Sequence, residues 1–262
     1  PQMVLLAGAK PVFVEATIEQ DFKIPPAQLE AAITERTRAL ILCSPSNPTG
    51  SVYSATELAD LAEVLRRHEQ VTVISDEIYE HINYVGAHAS IASLPDMKER
   101  TVVINGVSKA YAMTGWRIGF SAAPLALAKA MNKLQGQYTS GPCSVSQMAA
   151  VAAFSGPQEC VEEMRQAFLR RKNLIVDLTR QIPGLEVNDP HGAFYLFPKC
   201  SSYFGKTDGK HVINSSSDLA LYLLEEGHVA TVGGDAFGSP ECFRMSYATS
   251  DENIVEAIRR IK

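Results

Sequence analysis

Residues 105–120 read NGVSKAYAMTGWRIGF, and how the two cations in that stretch are read decides the fold. Lys109 is its one lysine, and Arg117, its one arginine, follows eight positions later. An apolar run at 101–104 leads in and another at 118–123 leads out. The pattern puts Lys109 in the turn after a buried strand and Arg117 just before the next. A charge so close to buried strands costs free energy unless it is paired or used.

Outward from this stretch, short apolar runs alternate with helical patterns. Residues 11–14, 39–43, 71–75, 101–104 and 118–123 read as strands, and residues 26–33 and 125–135 as helices. Between 55 and 68, apolar residues at 58, 61, 62 and 65 form a helical stripe. Strands alternating with helices predict an α/β fold with a mostly parallel central sheet, helices on both faces, and ligands bound at the carboxyl ends of the strands. The pattern changes near 154–157. A long helix is expected from Pro157, with Val161, Met164, Phe168, Leu169 and Ile175 on its apolar side. Strands follow around 185–187, 193–197, 230–232 and 243–247, with helices near 217–226 and 251–261. The chain thus divides into a large α/β domain, 1–155, and a smaller α+β domain, 156–262. No internal repeat or low-complexity segment is visible.

Composition removes several classes of function. The net charge is −5 and basic residues form no block, so neither nucleic acid nor an anionic membrane is an expected partner. No apolar run approaches the roughly 20 residues a membrane helix needs. Residues at the start do not read as a signal peptide. The five cysteines, at 43, 143, 160, 200 and 242, make no CxxC pair, and the six histidines show no metal spacing. No metal is expected, and reduced thiols in a cytoplasmic protein are.

Three strands end in polar clusters: SPSNPTG at 44–50, DEIY at 76–79 and NGVSK at 105–109. Singly each has an ordinary explanation. SPSNPTG is a turn-rich loop leading to a helix, Asp76 an N-cap, Lys109 a solvated lysine and Arg117 an ion-pair partner. Arg244, inside the strand-like FRMSYA at 243–248, is a charge among apolar neighbours and calls for an anion. Three successive clusters at strand carboxyl ends converge on one pocket.

Together SPSNPTG, SDEIY, SKAYAMTGWRIGF and FRMSYA, in this order, resemble the fold-type-I pyridoxal-phosphate (PLP) aminotransferases of class I/II, and among them the bacterial-type aspartate aminotransferases. The resemblance spans essentially the whole chain and implies the PLP-dependent transferase fold, a homodimer, and ping-pong transfer of an amino group from an amino acid, aspartate first, to a 2-keto acid such as 2-oxoglutarate. It implies that Lys109 forms a Schiff base with PLP and, once freed, moves a proton. Asp76 is expected to face the pyridine nitrogen, and Tyr79 and Asn47 the ring's 3′-oxygen. Arg117, with the Ser108 hydroxyl, is expected to hold the phosphate. Arg244 is expected to bind the substrate α-carboxylate, with Asn47 and Gly192 beside it, Gly192 being equally readable as a turn glycine. A cis peptide is expected before Pro48. Trp116 is expected to pack beside Arg117.

The resemblance also implies upstream parts that this sequence does not contain: a phosphate-cradling loop, an aromatic stacked on the ring, a tyrosine reaching the partner subunit, a covering arm, and the reader of the side-chain carboxylate. The chain is therefore expected to begin inside a fold, with activity depending on that portion. Alternatives are a prephenate or aromatic aminotransferase, or a PLP-dependent lyase or synthase on the same scaffold. A nucleotidase reading takes VTVISDE, 71–77, as a Walker B strand and FGKT, 204–207, as a P-loop end. The glycine that loop requires is Cys200 here, which argues against it.

Overall fold

The computed structural model describes residues 1–262. In chain order the helices and strands are α1 (Gln2–Leu6), α2 (Pro26–Ala32), β1 (Ala39–Cys43), α3 (Ala55–Arg66), β2 (Thr72–Asp76), β3 (Thr101–Gly106), β4 (Gly119–Ala122), α4 (Leu125–Tyr138), α5 (Ser144–Ser155), α6 (Glu159–Thr179), β5 (Tyr195–Leu196), α7 (Ser216–Glu225), β6 (Val232–Gly233), β7 (Phe243–Ser246) and α8 (Asp251–Ile261).

The first sheet has the order β1-β2-β3-β4. β1, β2 and β3 run parallel, with Ile41 opposite Ile74 and Ile74 opposite Val102, while β4 returns antiparallel, with Phe120 opposite Asn105. This is the mostly parallel α/β sheet that the alternating pattern predicts. α3 starts where it does because Ser54 and Glu57 close a capping box: each side chain takes the other residue's backbone N–H. Its stripe, Leu58, Leu61, Ala62 and Leu65, is buried in one core with Leu42 of β1 and Val73 of β2. Burying each of these leucine and valine side chains contributes about 1.5–3 kcal/mol. Cys43 and Asp76 are register partners and so share the opposite face, on which Ile41 stays 53% exposed.

The second sheet, β5-β7-β6, is antiparallel and sits in a core with α6, α7 and α8. That core also takes in Tyr79 and Ile82 from the loop after β2. The shared core fixes the loop that carries Tyr79 against the second sheet.

Several elements depart from the sequence reading. Residues 11–14 form no strand; Val12 and Phe13 are exposed and pair with no neighbour. β2 runs one residue further than expected, so Asp76 ends a strand, and turns follow it. Asp76 therefore caps no helix. Pro157 precedes the N-cap of α6, which begins at Glu159. Residues 185–187 make one bridge, Glu186 to Lys199, and no strand. The strand expected at 193–197 shrinks to two residues because Ala193 is left-handed, with φ of 56°, and its N–H is donated to the carbonyl of Ile82. The strand expected at 230–232 becomes Val232–Gly233, and 243–247 shortens by one. α5 has no counterpart in the sequence reading.

Candidate active site

The carboxyl ends of β1, β2 and β3 carry the three polar clusters, as parallel pairing requires. Asp76 is the last residue of β2. Its Oδ1 accepts the N–H of Ile78 at 3.2 Å, which orients the carboxylate beyond the strand end. Burial raises its pKa; the Ile78 N–H and Lys109 oppose this, and Glu77 adds to it.

Lys109 lies in the turns that follow β3. Its Nζ sits 5.5 Å from the ring centroid of Tyr79 and 5.7 Å from that of Phe194. Burial, then the guanidinium of Arg244, lowers its pKa below the ordinary lysine range; Asp76 pulls the other way and Arg117 adds to the lowering. A larger fraction of this amine is neutral near pH 7 than of a solvated lysine.

Tyr79 is buried, its hydroxyl 2.8 Å from that of Tyr195. Burial first, then that contact, raises the pKa of its phenol far above the ordinary value, so it stays a donor. Asn47 stands between two cis peptide bonds, Ser44-Pro45 and Asn47-Pro48, of which only the second was expected. Its Oδ1 accepts from Arg244 Nη1 at 2.9 Å, which ties the β1 loop to β7. Arg244 projects from β7 between two aromatic faces, 4.7 Å from Tyr195 and 4.9 Å from Phe237. This lone cation on a strand is held by π faces and one amide, with no carboxylate in its ion-pair shell.

The structure thus brings Lys109, Asp76, Tyr79, Asn47 and Arg244 into one neighbourhood. Ser108 is partly buried directly before Lys109. Arg117 is different: its backbone is left-handed, with φ of 52°, and its exposed guanidinium donates to the carbonyl of Thr114 at 2.8 Å. It acts on Lys109 through its charge. Trp116, expected to be packed, is 45% exposed. Cys43 shares the face of Asp76, but burial and that carboxylate push its thiol up to about 12, which makes it a poor nucleophile.

Gly192 is placed by packing. A Cβ there would lie 2.6 Å from Cβ of Pro45 and 2.9 Å from the carbonyl of Ile82, and its N–H is donated to the carbonyl of Gly50 at 2.8 Å. Backbone cannot yield as a flexible side chain can. Gly192→Ala is expected to destabilise the fold by about 1–3 kcal/mol through this overlap, read as a lower denaturation midpoint in urea.

Sequence reasoning missed three groups. Tyr195 and Phe194 sit in the HGAFYLFP segment, whose aromatics read only as strand residues. Phe237 lies in a short 3₁₀ turn. Glu77, next to Asp76, is buried and accepts hydroxyl hydrogen bonds from Ser75 at 2.8 Å and Ser90 at 2.6 Å, while His88 Nε2 lies 2.8 Å from its other oxygen. An alternation argument could have found it, because Ser75 and Glu77 point away from the Asp76 face.

A family model described as aminotransferase class I and II matches residues 1–261. The chain is 51% identical to an aspartate aminotransferase of Geobacillus stearothermophilus, covering 100% of this chain and 66% of that protein. It is 49% identical to a bifunctional aspartate aminotransferase and glutamate/aspartate-prephenate aminotransferase of Petunia hybrida, covering 100% of this chain and 56% of the relative. A crystal structure of the aspartate aminotransferase of Rhizobium meliloti superposes with a TM-score of 0.94 at 46% identity, over 99% of this chain and 66% of the other. The chain therefore spans about two thirds or less of the length of these relatives.

Proposed function

This chain belongs to the class I and II aminotransferase family, and on that premise we propose that the protein is a PLP-dependent aminotransferase that moves an amino group from aspartate to 2-oxoglutarate by a ping-pong mechanism. The observation that carries the reading is that a depressed lysine amine, a strand-end carboxylate, a buried phenol and an aromatic-sandwiched arginine lie next to one another. Relatives at about half identity are named aspartate aminotransferases, which supports aspartate as substrate. Prephenate is the second reading, favoured by relatives named aspartate/prephenate aminotransferase.

Aminotransferases of this family use PLP, and the donor set here fits that group. An amine, a carboxylate, a phenol, an amide and a guanidinium face one space, and Asp76 has only one of its oxygens engaged by a backbone N–H. When bound, PLP supplies an electron sink for negative charge at the substrate α-carbon. In this reading Lys109 Nζ is the covalent tether and, once released, carries a proton to and from that carbon. Asp76 holds a proton on the ring nitrogen. Tyr79 and the amide of Asn47 donate to the 3′-oxygen. Arg117 and the Ser108 hydroxyl take the phosphate; the hydrogen bond from Arg117 Nη1 to the Thr114 carbonyl leaves its Nε and Nη2 donors for this. Arg244 receives the α-carboxylate with its fork, and Tyr195 and Phe237 exclude water from its flanks. Gly192 gives that region its floor by letting two backbones touch.

We assign residues 1–155 to the cofactor-binding domain and 156–262 to the smaller domain. The protein is proposed to be a cytoplasmic homodimer. Exposed apolar side chains on α4 and α5, among them Leu134, Tyr138, Val145 and Met148, support an association surface. No helix is long and apolar enough to cross a membrane.

Supplying aspartate and 2-oxoglutarate to the full-length protein tests the reading, with formation of oxaloacetate and glutamate in equal amounts as the expected result. Ammonia release without amino transfer would mark a lyase, and stronger turnover of prephenate than of 2-oxoglutarate would favour the second reading. Arg244→Lys keeps the charge but loses the planar fork and its stacking between rings. It is expected to lower kcat/KM for every amino-acid and keto-acid substrate alike by roughly 10²-fold, the scale of a lost charged bidentate contact, in steady-state kinetics.

A further inference from the structure

We propose that Tyr195 is a positioning residue that sets the strength of the Tyr79 hydroxyl as a donor; the inference rests on the aminotransferase reading. Tyr195 lies on β5, whose register places it opposite Ser246 of β7. Its side chain leaves the second sheet and meets the loop after β2. The two hydroxyls are 2.8 Å apart and the rings meet edge to face, with centroids 5.8 Å apart. Both residues are buried, so this phenol–phenol contact is not exchanged with bulk water. Each phenol has one proton to give. If Tyr79 is to donate toward the ring's 3′-oxygen, its own oxygen must accept, and Tyr195 is the group placed to donate to it. A hydroxyl that accepts one hydrogen bond becomes a better donor in the next.

The other face of Tyr195 strengthens this effect. The guanidinium of Arg244 lies 4.7 Å from the ring centroid. A cation over a phenol ring draws electron density from it and favours donation by its hydroxyl. Tyr195 thus joins the arginine that reads the carboxylate to the tyrosine that tunes the cofactor. The mechanism above gives Tyr195 only a wall, and nothing in its packing requires a hydroxyl, since a phenylalanine would keep the ring contacts with Tyr79, Phe194 and Arg244.

The test compares the PLP-loaded full-length protein with its Tyr195→Phe and Tyr79→Phe variants, recording the absorption spectrum of the bound cofactor against pH. Donation to the 3′-oxygen favours its anionic form and loosens the proton shared with the tether nitrogen. Weaker donation therefore raises the midpoint of the spectral transition. Tyr195→Phe is expected to raise it by roughly half a pH unit, the scale of one neutral hydrogen bond passed through a second, with Tyr79→Phe raising it further. Cofactor occupancy and Tm of Tyr195→Phe should stay near those of the parent, because the ring remains. An unmoved midpoint in Tyr195→Phe beside a raised one in Tyr79→Phe overturns the inference and leaves the aminotransferase reading intact. Absence of a Lys109-bound cofactor band in the parent overturns both.

Discussion

Lys109→Ala is expected to abolish covalent attachment of PLP and to lower transamination by at least about a thousandfold in the full-length protein. In the proposed mechanism the substitution removes the tether and the proton carrier together, and no other lysine is among the charges that act on Lys109. Nζ lies over the rings of Tyr79 and Phe194, and the charges that act on it are Arg244, Asp76 and Arg117. Stability should not fall with activity. A lysine whose folded pKa lies below its unfolded value disfavours folding while it is charged, and alanine relieves this. Thermal unfolding of the cofactor-free protein, measured alongside initial rates, separates loss of chemistry from loss of fold. Turnover near that of the parent would remove Lys109 from the reaction.

Asp76→Asn should show opposite effects on rate and on stability. An amide cannot hold a positive charge on the ring nitrogen as a carboxylate does, and the lost stabilisation is of the order of 3–4 kcal/mol in the barrier, or about 10²–10³ in kcat. Asparagine keeps an oxygen to accept the N–H of Ile78, so the loop geometry survives. The stability effect follows from the raised carboxyl pKa. A raised folded pKa means that the native state binds the proton more tightly than the unfolded chain. The contribution of Asp76 to folding is therefore most favourable at acid pH and is lost as pH climbs through the raised value. Above that window the cofactor-free variant should unfold at a higher temperature than the parent, and below it the difference should close. Near-parental kcat would remove the ring-nitrogen role; a variant less stable than the parent at neutral pH would contradict the buried-carboxylate argument.

What could be read from the residues alone follows a physical divide. α3 was legible because its capping box and apolar stripe are local and agree with each other. The convergence of the clusters that hold Asn47, Asp76 and Lys109 was legible because parallel strands must deliver their carboxyl ends to one edge, while the choice of residues within them came from the family motifs. The end of β2, one residue past the expected point, turned Asp76 from a possible helix cap into a strand-end carboxylate. Residues 11–14 misled because an apolar run says nothing about whether a partner strand is available. The short strands near 195 and 232 were overestimated because their ends are set by distant contacts: the N–H of Ala193 goes to Ile82 and that of Gly234 to Cys242. α5 was missed for want of a signal, since its N-cap, Cys143, makes no side-chain cap and its small residues carry little periodicity. Tyr195 could not be paired with Tyr79 at all, because 116 residues separate them and only the shared core brings them together.

Identifying the lysine that carries the cofactor tests the assignment most directly. The full-length protein would be incubated with PLP, reduced with borohydride and digested, and the modified peptide located by mass. A single pyridoxyl group on Lys109, absent from Lys109→Ala, is the predicted result. A group on another lysine, or none on a folded protein, contradicts it.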